Sequence, residues 1–341
     1  MPEPNSHSGE PELTRRQLLK ITLAGSALAT SGLALANWIE KPTLHAHTFI
    51  GKANSYTSNL VSILLGGFQQ LGVTPQEIKE KRILLKPNLV ETRQDAPHIN
   101  THPLLIQATI EAFLYLGAKS VIVGEGPGHR RDALQILEEA GLANVLYEDR
   151  IPFVSLNDMT GFSRPNAGRQ THLDSLIFPD IFQEIDWVVS MAKLKTHHWA
   201  GVTLSMKNLF GTLPGLYYGW PKNVLHHAGI HESILDITAT LRPHFSIIDG
   251  IIGMEGDGPI MGTPKHAGVL VMGRDLPAVD ATGARLMGIN PHKIPYLHRA
   301  SNWLGAINEL TIKQVGESIA TVRQNFELLD HIEAHRGIRL S

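Results

Sequence analysis

The residues best suited to chemistry lie together in Lys193-Leu194-Lys195-Thr196-His197, continuing to Thr203 and Lys207-Asn208. If this stretch begins as a strand, Lys193 and Lys195 face one side about 6–7 Å apart. Two ammonium groups at about 6 Å repel by roughly 3 kcal/mol at an effective dielectric near 20, and by under 1 kcal/mol in bulk water. On a crevice wall such repulsion needs an offset, from carboxylates such as Asp249 and Asp257 or from an anionic ligand. A hydrogen bond to a charged group contributes about 1.5–3 kcal/mol, so one phosphate or carboxylate touched by two or three donors suffices. Thr203 and Lys207, four apart, are expected on one face of a following helix. Thr196, Asn208 and Asn88 are candidates to orient the anion by hydrogen bonds, with Lys86 beside them. His197, directly after the lysine pair, suits proton transfer or phosphate contact.

A second constellation is Asp249-Gly250-Ile251-Ile252-Gly253-Met254-Glu255-Gly256-Asp257-Gly258-Pro259. Carboxylates interleaved with glycines predict an irregular segment rather than a strand or helix interior. Asp249 and Asp257 are candidate bases, and the acids there could converge on a hard cation. Glu125, Glu255 and Asp280 are the candidate ligands for a divalent cation. An Asx-turn network would use the same residues structurally. The spacing is not that of an EF-hand. His98 and His102, like His227 and His231, are four apart, but neither pair falls in a regular helix, and surface or hydrogen-bonded roles are expected. No Gly-x4-Gly-Lys-Ser/Thr, Gly-x-Ser-x-Gly or His-Glu-x-x-His occurs, and Gly124-Glu125-Gly126-Pro127-Gly128 breaks the dinucleotide fingerprint.

These groups gain meaning from the elements that carry them. Apolar stripes predict helices over 59–71, 103–116, 133–140, 233–241 and 277–287, several closed by glycine. Between them, short apolar runs at 82–85, 121–123, 153–156, 187–191, 246–248 and 269–272 read as buried strands. The alternation predicts a doubly wound α/β domain, its mostly parallel sheet covered by helices on both faces. Ligands in such folds bind beyond the carboxyl ends of the strands. Lys86 and Asn88, Glu125, Asn157 and Asp158, Lys193 to His197, Asp249, and Arg274 with Asp275 all stand at such ends. The irregular stretch 214–231 is expected to be an insertion or lid.

The 341 residues are 43% hydrophobic and 18% charged, which supports a substantial core. With 30 Lys and Arg against 32 Asp and Glu, the chain lacks the basic footprint of a nucleic-acid binder. It has no cysteine, which excludes disulfides, thiolate zinc sites and cysteine-held iron–sulfur clusters. Residues 1–12 are polar and proline-rich; Arg15-Arg16 then precedes the apolar run Ile21–Ala36, which ends in Ala34-Leu35-Ala36. That order predicts a twin-arginine signal over 1–36 with cleavage after Ala36, leaving one elaborated domain over 37–341. The run is shorter than the roughly 20 apolar residues that span a bilayer, so cleavage is expected rather than anchoring. The mature protein is expected to be periplasmic or otherwise extracytoplasmic, meeting the translocation machinery and the membrane only during export.

Several motifs together resemble the domain of unknown function family numbered 362. They are Lys86-Pro87-Asn88, Val123-Gly124-Glu125, the Lys193-to-Gly211 run, Asp249-Gly250 with Gly256-Asp257-Gly258-Pro259, and Asp275 through Ala278-Val279-Asp280 to Leu286-Met287-Gly288. The resemblance covers about 80–300 and implies an α/β fold. Members of this family include proteins with ferredoxin-type cysteine clusters and others with twin-arginine signals; the absence of cysteine means no cluster carries over. Thr101-His102-Pro103 departs from the pattern, which has an acid in the middle. The sequence therefore predicts an exported enzyme acting on a small phosphate- or carboxylate-bearing substrate, with a divalent cation admissible. The alternative is a non-catalytic ligand-binding or cofactor-handling protein using the same pocket, and a structural role in a membrane or wall complex stands behind both.

Overall fold

The short apolar runs become the strands of one nine-stranded sheet. The computed structural model describes residues 45–128, 132–301 and 303–340; the twin-arginine and cleavage motifs lie outside them. In chain order the strands are β1 (Ala46–Lys52), β2 (Arg82–Pro87), β3 (Ser120–Glu125), β4 (Phe153–Ser155), β5 (Gly161–Pro165), β6 (Ser175–Pro179), β7 (Trp187–His197), β8 (Gly201–Thr203), β9 (Phe245–Glu255), β10 (Thr263–Gly273) and β11 (Ile312–Gly316). The sheet runs β11-β1-β10-β9-β7-β2-β3-β4, with β8 folded back on β7, while β5 and β6 form a separate antiparallel pair. From β4 to β9 all neighbours are parallel. β10 runs against both β9 and β1. The sheet is thus mostly parallel, as expected.

Strand side chains alternate between two buried layers. Ile83, Leu85, Val189, Met191, Ile247 and Leu270 face α1 (Leu60–Gln70), α2 (Pro103–Tyr115), α3 (Ala133–Glu139) and α4 (Leu142–Glu148), packing with Leu64, Phe68, Leu105, Phe113 and Ile136. Leu84, Ala192, Leu194, Ile248 and Val271 point the other way, toward Ile234 and Ile237 of α8 (Ile230–Leu241) and Val279 and Ala284 of α9 (Leu276–Leu286). A period of two with apolar residues at both phases is what a sheet buried on both faces requires. Between β8 and α8 lie the short helices α5 (Ser205–Asn208), α6 (Gly215–Tyr218) and α7 (Asn223–His227). The stretch 214–231 is therefore two short helices and the start of a third.

Strand order reverses at β2. β3 and β4 continue to one side of it, whereas β7 and β9 lie on the other. Such a reversal leaves a crevice beyond the carboxyl ends of the two strands that flank it, here β2 and β7. Lys86 ends the first of these and Lys193 to His197 the second.

Three expectations need correction. The glycine-rich run after Asp249 is not irregular: β9 continues to Glu255. Its glycines serve close approach instead, since a Cβ on Gly250 would stand 2.9 Å from the Leu194 side chain and one on Gly253 2.6 Å from the Leu194 carbonyl. β7 and β9 slip register there, Lys193 facing Asp249 but Lys195 facing Met254. Secondly, Thr203 is not on a helix with Lys207; it ends β8, paired with Lys195, and α5 starts two residues later. Finally, β1, the edge strand β11 beside it, and the β5–β6 pair were not expected, because their polar residues dilute the apolar signal.

Candidate functional site

A cavity of about 160 Å³ opens at the β2/β7 reversal. Lys86, Lys195, Lys207 and Lys222 line it, with Asn88, Glu125, His197 and Thr203. Lys86, Lys195 and Lys222 are only 1%, 0% and 3% exposed, while Lys207 is partly exposed through the cavity.

The Lys86 ammonium is fully satisfied: it donates to the Pro87 carbonyl at 2.7 Å, Glu125 Oε2 at 2.7 Å and Asn208 Oδ1 at 2.8 Å. Glu125 also accepts from the Leu89 and Gly126 backbone N–H groups. Asn208 is held by donating to the Lys86 carbonyl and Ser190 Oγ. Gly211 packs on this pair so tightly that a Cβ would lie 2.1 Å from Glu125 Oε1 and 2.6 Å from Lys86 Nζ. Gly211→Ala is accordingly expected to destabilise the fold by about 1–3 kcal/mol, the usual cost of overpacking, as read by urea denaturation.

The other lysines are less satisfied. Lys195 donates to the carbonyls of Ile99 at 3.0 Å and Pro259 at 3.2 Å, with no carboxylate partner among the described residues. Burial, then Lys193 and Lys207, depress its pKa far below the usual lysine range. Lys222 donates to the Gly126 carbonyl at 2.7 Å. The Lys207 ammonium lies 4.0 Å from the centre of the Phe210 ring, and no hydrogen bond holds it among the described residues. Burial first, then Lys86, bring Lys207 down to about 7; burial brings Lys222 to about 7 against the attraction of Glu125. Two buried oxygens on the wall, Asn88 Oδ1 and Thr203 Oγ1, also lack partners among the described residues. Among the described lining residues one carboxylate thus faces several amine donors, and it is already locked to Lys86.

His197 lines the cavity with a neutral ring, held neutral by burial and then by Lys207. Its Nδ1 accepts the Trp199 and Ala200 N–H groups, leaving the ring proton on Nε2.

Other expected site residues stand elsewhere. Lys193 is not on the cavity wall; it donates to Asp249 Oδ2 at 2.8 Å and Tyr56 Oη at 2.9 Å in a fully buried pair. Asp249 also accepts the His102 N–H, so it is a structural acid rather than a base facing the cavity. His102 caps α2 through Nδ1 and stacks on Tyr56 at 3.6 Å, and burial lowers its pKa to about 4. A neutral imidazole caps the helix without setting a second acid beside Asp249. The Thr196 hydroxyl donates to the Gly256 carbonyl and does not line the cavity. Asp257 is half-exposed, 3.9 Å from His198.

The candidate cation ligands do not meet. Glu125 holds Lys86, Glu255 holds Lys265 and the Glu327 N–H, and Asp280 accepts the N–H groups of Ser205 and Met206 at the start of α5. No group of three or more metal-ligating side chains gathers among the described residues, so these residues do not fit a divalent cation. Conversely, Lys222, Trp199 and His226 belong to the wall but were not singled out. Lys222 reaches it from the aromatic stretch 214–231, whose only hint in sequence was a lone cation beside Trp220-Pro221.

Fold and site define an α/β protein with a lysine-lined cavity at the switch point of its sheet. The family model for the domain of unknown function DUF362 matches residues 83–285, and the chain belongs to that family. A thylakoid-associated protein of Synechocystis sp. is 27% identical over 257 residues, 72% of this chain and 74% of the relative. Among solved structures, a Thermotoga maritima protein is similar at 14% identity and TM-score 0.37 over 64% of this chain. The lactate racemase apoprotein of Thermoanaerobacterium thermosaccharolyticum is similar at 11% and 0.39 over 67%. The chain spans 55% of each of those two structures. No helix among the described residues is long and apolar enough to cross a membrane.

Proposed function

We propose that this is an exported protein that binds a small phosphate- or carboxylate-bearing molecule in the lysine cavity and acts on it as an enzyme. The observation that carries this reading is the imbalance of ionisable groups: among the described residues Lys195, Lys207 and Lys222 share the wall with one carboxylate that Lys86 already holds. Amines so placed repel one another when protonated and have lost their water, and an anion relieves both by favouring the protonated forms. Lys195 and Lys207 would grip it, Lys222 would close over it, and the Thr203 hydroxyl and the His197 Nε2–H would add neutral donors. The lone acceptor Asn88 Oδ1 suits a hydroxyl on the ligand. A lysine near neutrality, such as Lys207, can take up and release a proton at physiological pH.

One observation favours binding without turnover. Neither Asp249 nor Asp257 lies on the wall, so no free carboxylate base faces the ligand among the described residues. The two readings share the pocket and separate on activity. Protein recovered through its own export route should bind phosphate or sulfate in titration calorimetry, and Lys195→Ala should weaken binding at least about tenfold, the loss of one charge-assisted contact, with the fold intact. Equal affinity in the variant would sink the anion reading. Turnover that disappears with Lys195→Ala would decide for an enzyme. Lysine in place of both Arg15 and Arg16 should trap the protein in the cytoplasm; unimpaired export would remove the export part.

A further inference from the structure

The cavity wall has an aromatic side as well as a cationic one. Trp199, His198, His226 and Phe210 all line it. Their rings follow one another in contact: His198 to Trp199 at 4.7 Å and 89°, Trp199 to His226 at 5.5 Å and 71°, and Phe210 to His226 at 5.5 Å and 56°. Trp199 is 58% exposed. Its backbone is held, the N–H donating to His197 Nδ1 in the turn that ends β7, and its ring packs against His198 and His226. An indole held with open surface beside a cationic pocket leaves a large apolar area in water, and covering it is favourable. Neighbouring rings at steep angles brace such a ring, and an indole with open surface can stack on a flat partner.

Resting on the anion reading above, we infer that the ligand carries its phosphate or carboxylate on a planar aromatic or heteroaromatic ring. The ring lies against Trp199 and the anion reaches Lys195, Lys207 and Lys222. An alkyl body would be covered as well by the aliphatic wall residues Val90 and Ile260. What the row of rings adds is a preference for a flat π surface, which a saturated ring of similar size does not satisfy.

The probes are inorganic phosphate, cyclohexyl phosphate and phenyl phosphate, titrated into the full chain by calorimetry. Phenyl phosphate is expected to bind about tenfold more tightly than cyclohexyl phosphate, the scale of one stacking contact. Trp199→Leu should bring that ratio close to one, and Trp199→Phe should restore most of it. Lys207→Met should weaken both organic phosphates together and leave the ratio standing. Binding of phosphate with equal affinities for the two organic probes, or a preference that survives Trp199→Leu, overturns the inference while the anion reading stands. If none of the three binds, the anion reading falls and this one falls with it.

Discussion

Lys86→Met is expected to destabilise the protein by about 3–5 kcal/mol, the cost of leaving one member of a buried ion pair without its partner. The lysine fills three acceptors at once, Glu125, the Pro87 carbonyl and Asn208. Methionine fills its volume and none of these bonds, so Glu125 is left buried without its partner. Glu125→Gln in the same chain should recover more than half of the loss, because a neutral amide needs no counter-charge and can keep the Leu89 or Gly126 contact. Urea denaturation of the wild type, both single variants and the double variant gives the coupling directly. A loss under 1 kcal/mol in Lys86→Met would mean that water or an ion reaches Glu125, and that the pair does not set the floor of the cavity. The result bears on function because the pair removes Glu125, the one carboxylate among the described lining residues, from competition with a ligand.

The large-scale fold was legible because strands buried on both faces leave continuous apolar runs, and the helices between them carry glycine stops. The strand-end rule then placed Lys86, Asn88, Glu125, Lys195 and His197 at one crevice. What escaped has a physical explanation in each case. Lys193 and Lys195 obey the period of two, yet the register slip against β9 hands one to Asp249 and leaves the other at the cavity; a slip has no signature in spacing. The strand after Asp249 was hidden because glycine for close packing and glycine for turning look alike in a sequence. Asp280 looked like a ligand because an isolated acid in an apolar helix calls for a partner. Its partners are two backbone N–H groups of α5, and backbone donors leave no trace in residue types. Lys222 adopts a left-handed backbone, φ 68°, at the head of α7, and its partner Gly126 is far away in the chain. Only the fold could join them.

Sulfate affinity should fall by at least about a hundredfold between pH 6 and pH 9, because an anion that needs a protonated amine with a pKa near 7 loses about tenfold per pH unit above it. Lys207 and Lys222 are the amines concerned, both brought to about 7 chiefly by burial. Sulfate keeps its charge across this range, so the change belongs to the protein. Stability of the ligand-free protein should move the opposite way. Below pH 7 these lysines are protonated in folded and unfolded chains alike, and the folded chain bears the whole cost of the buried charge. As the pH rises from about 7 toward 10, the folded form has released protons that the unfolded chain still binds, so stability increases with pH. Lys222→Met should flatten that rise and weaken sulfate binding at pH 6, linking the two effects to one amine. Calorimetric titrations across pH, paired with chemical denaturation at the same values, separate the cases. Affinity and stability that fall together above pH 7 would show that carboxylates or histidines elsewhere govern both. Opposed slopes would mean that the cavity is strained by its own charge and that an anion relieves the strain, the property on which a ligand site at this switch point depends.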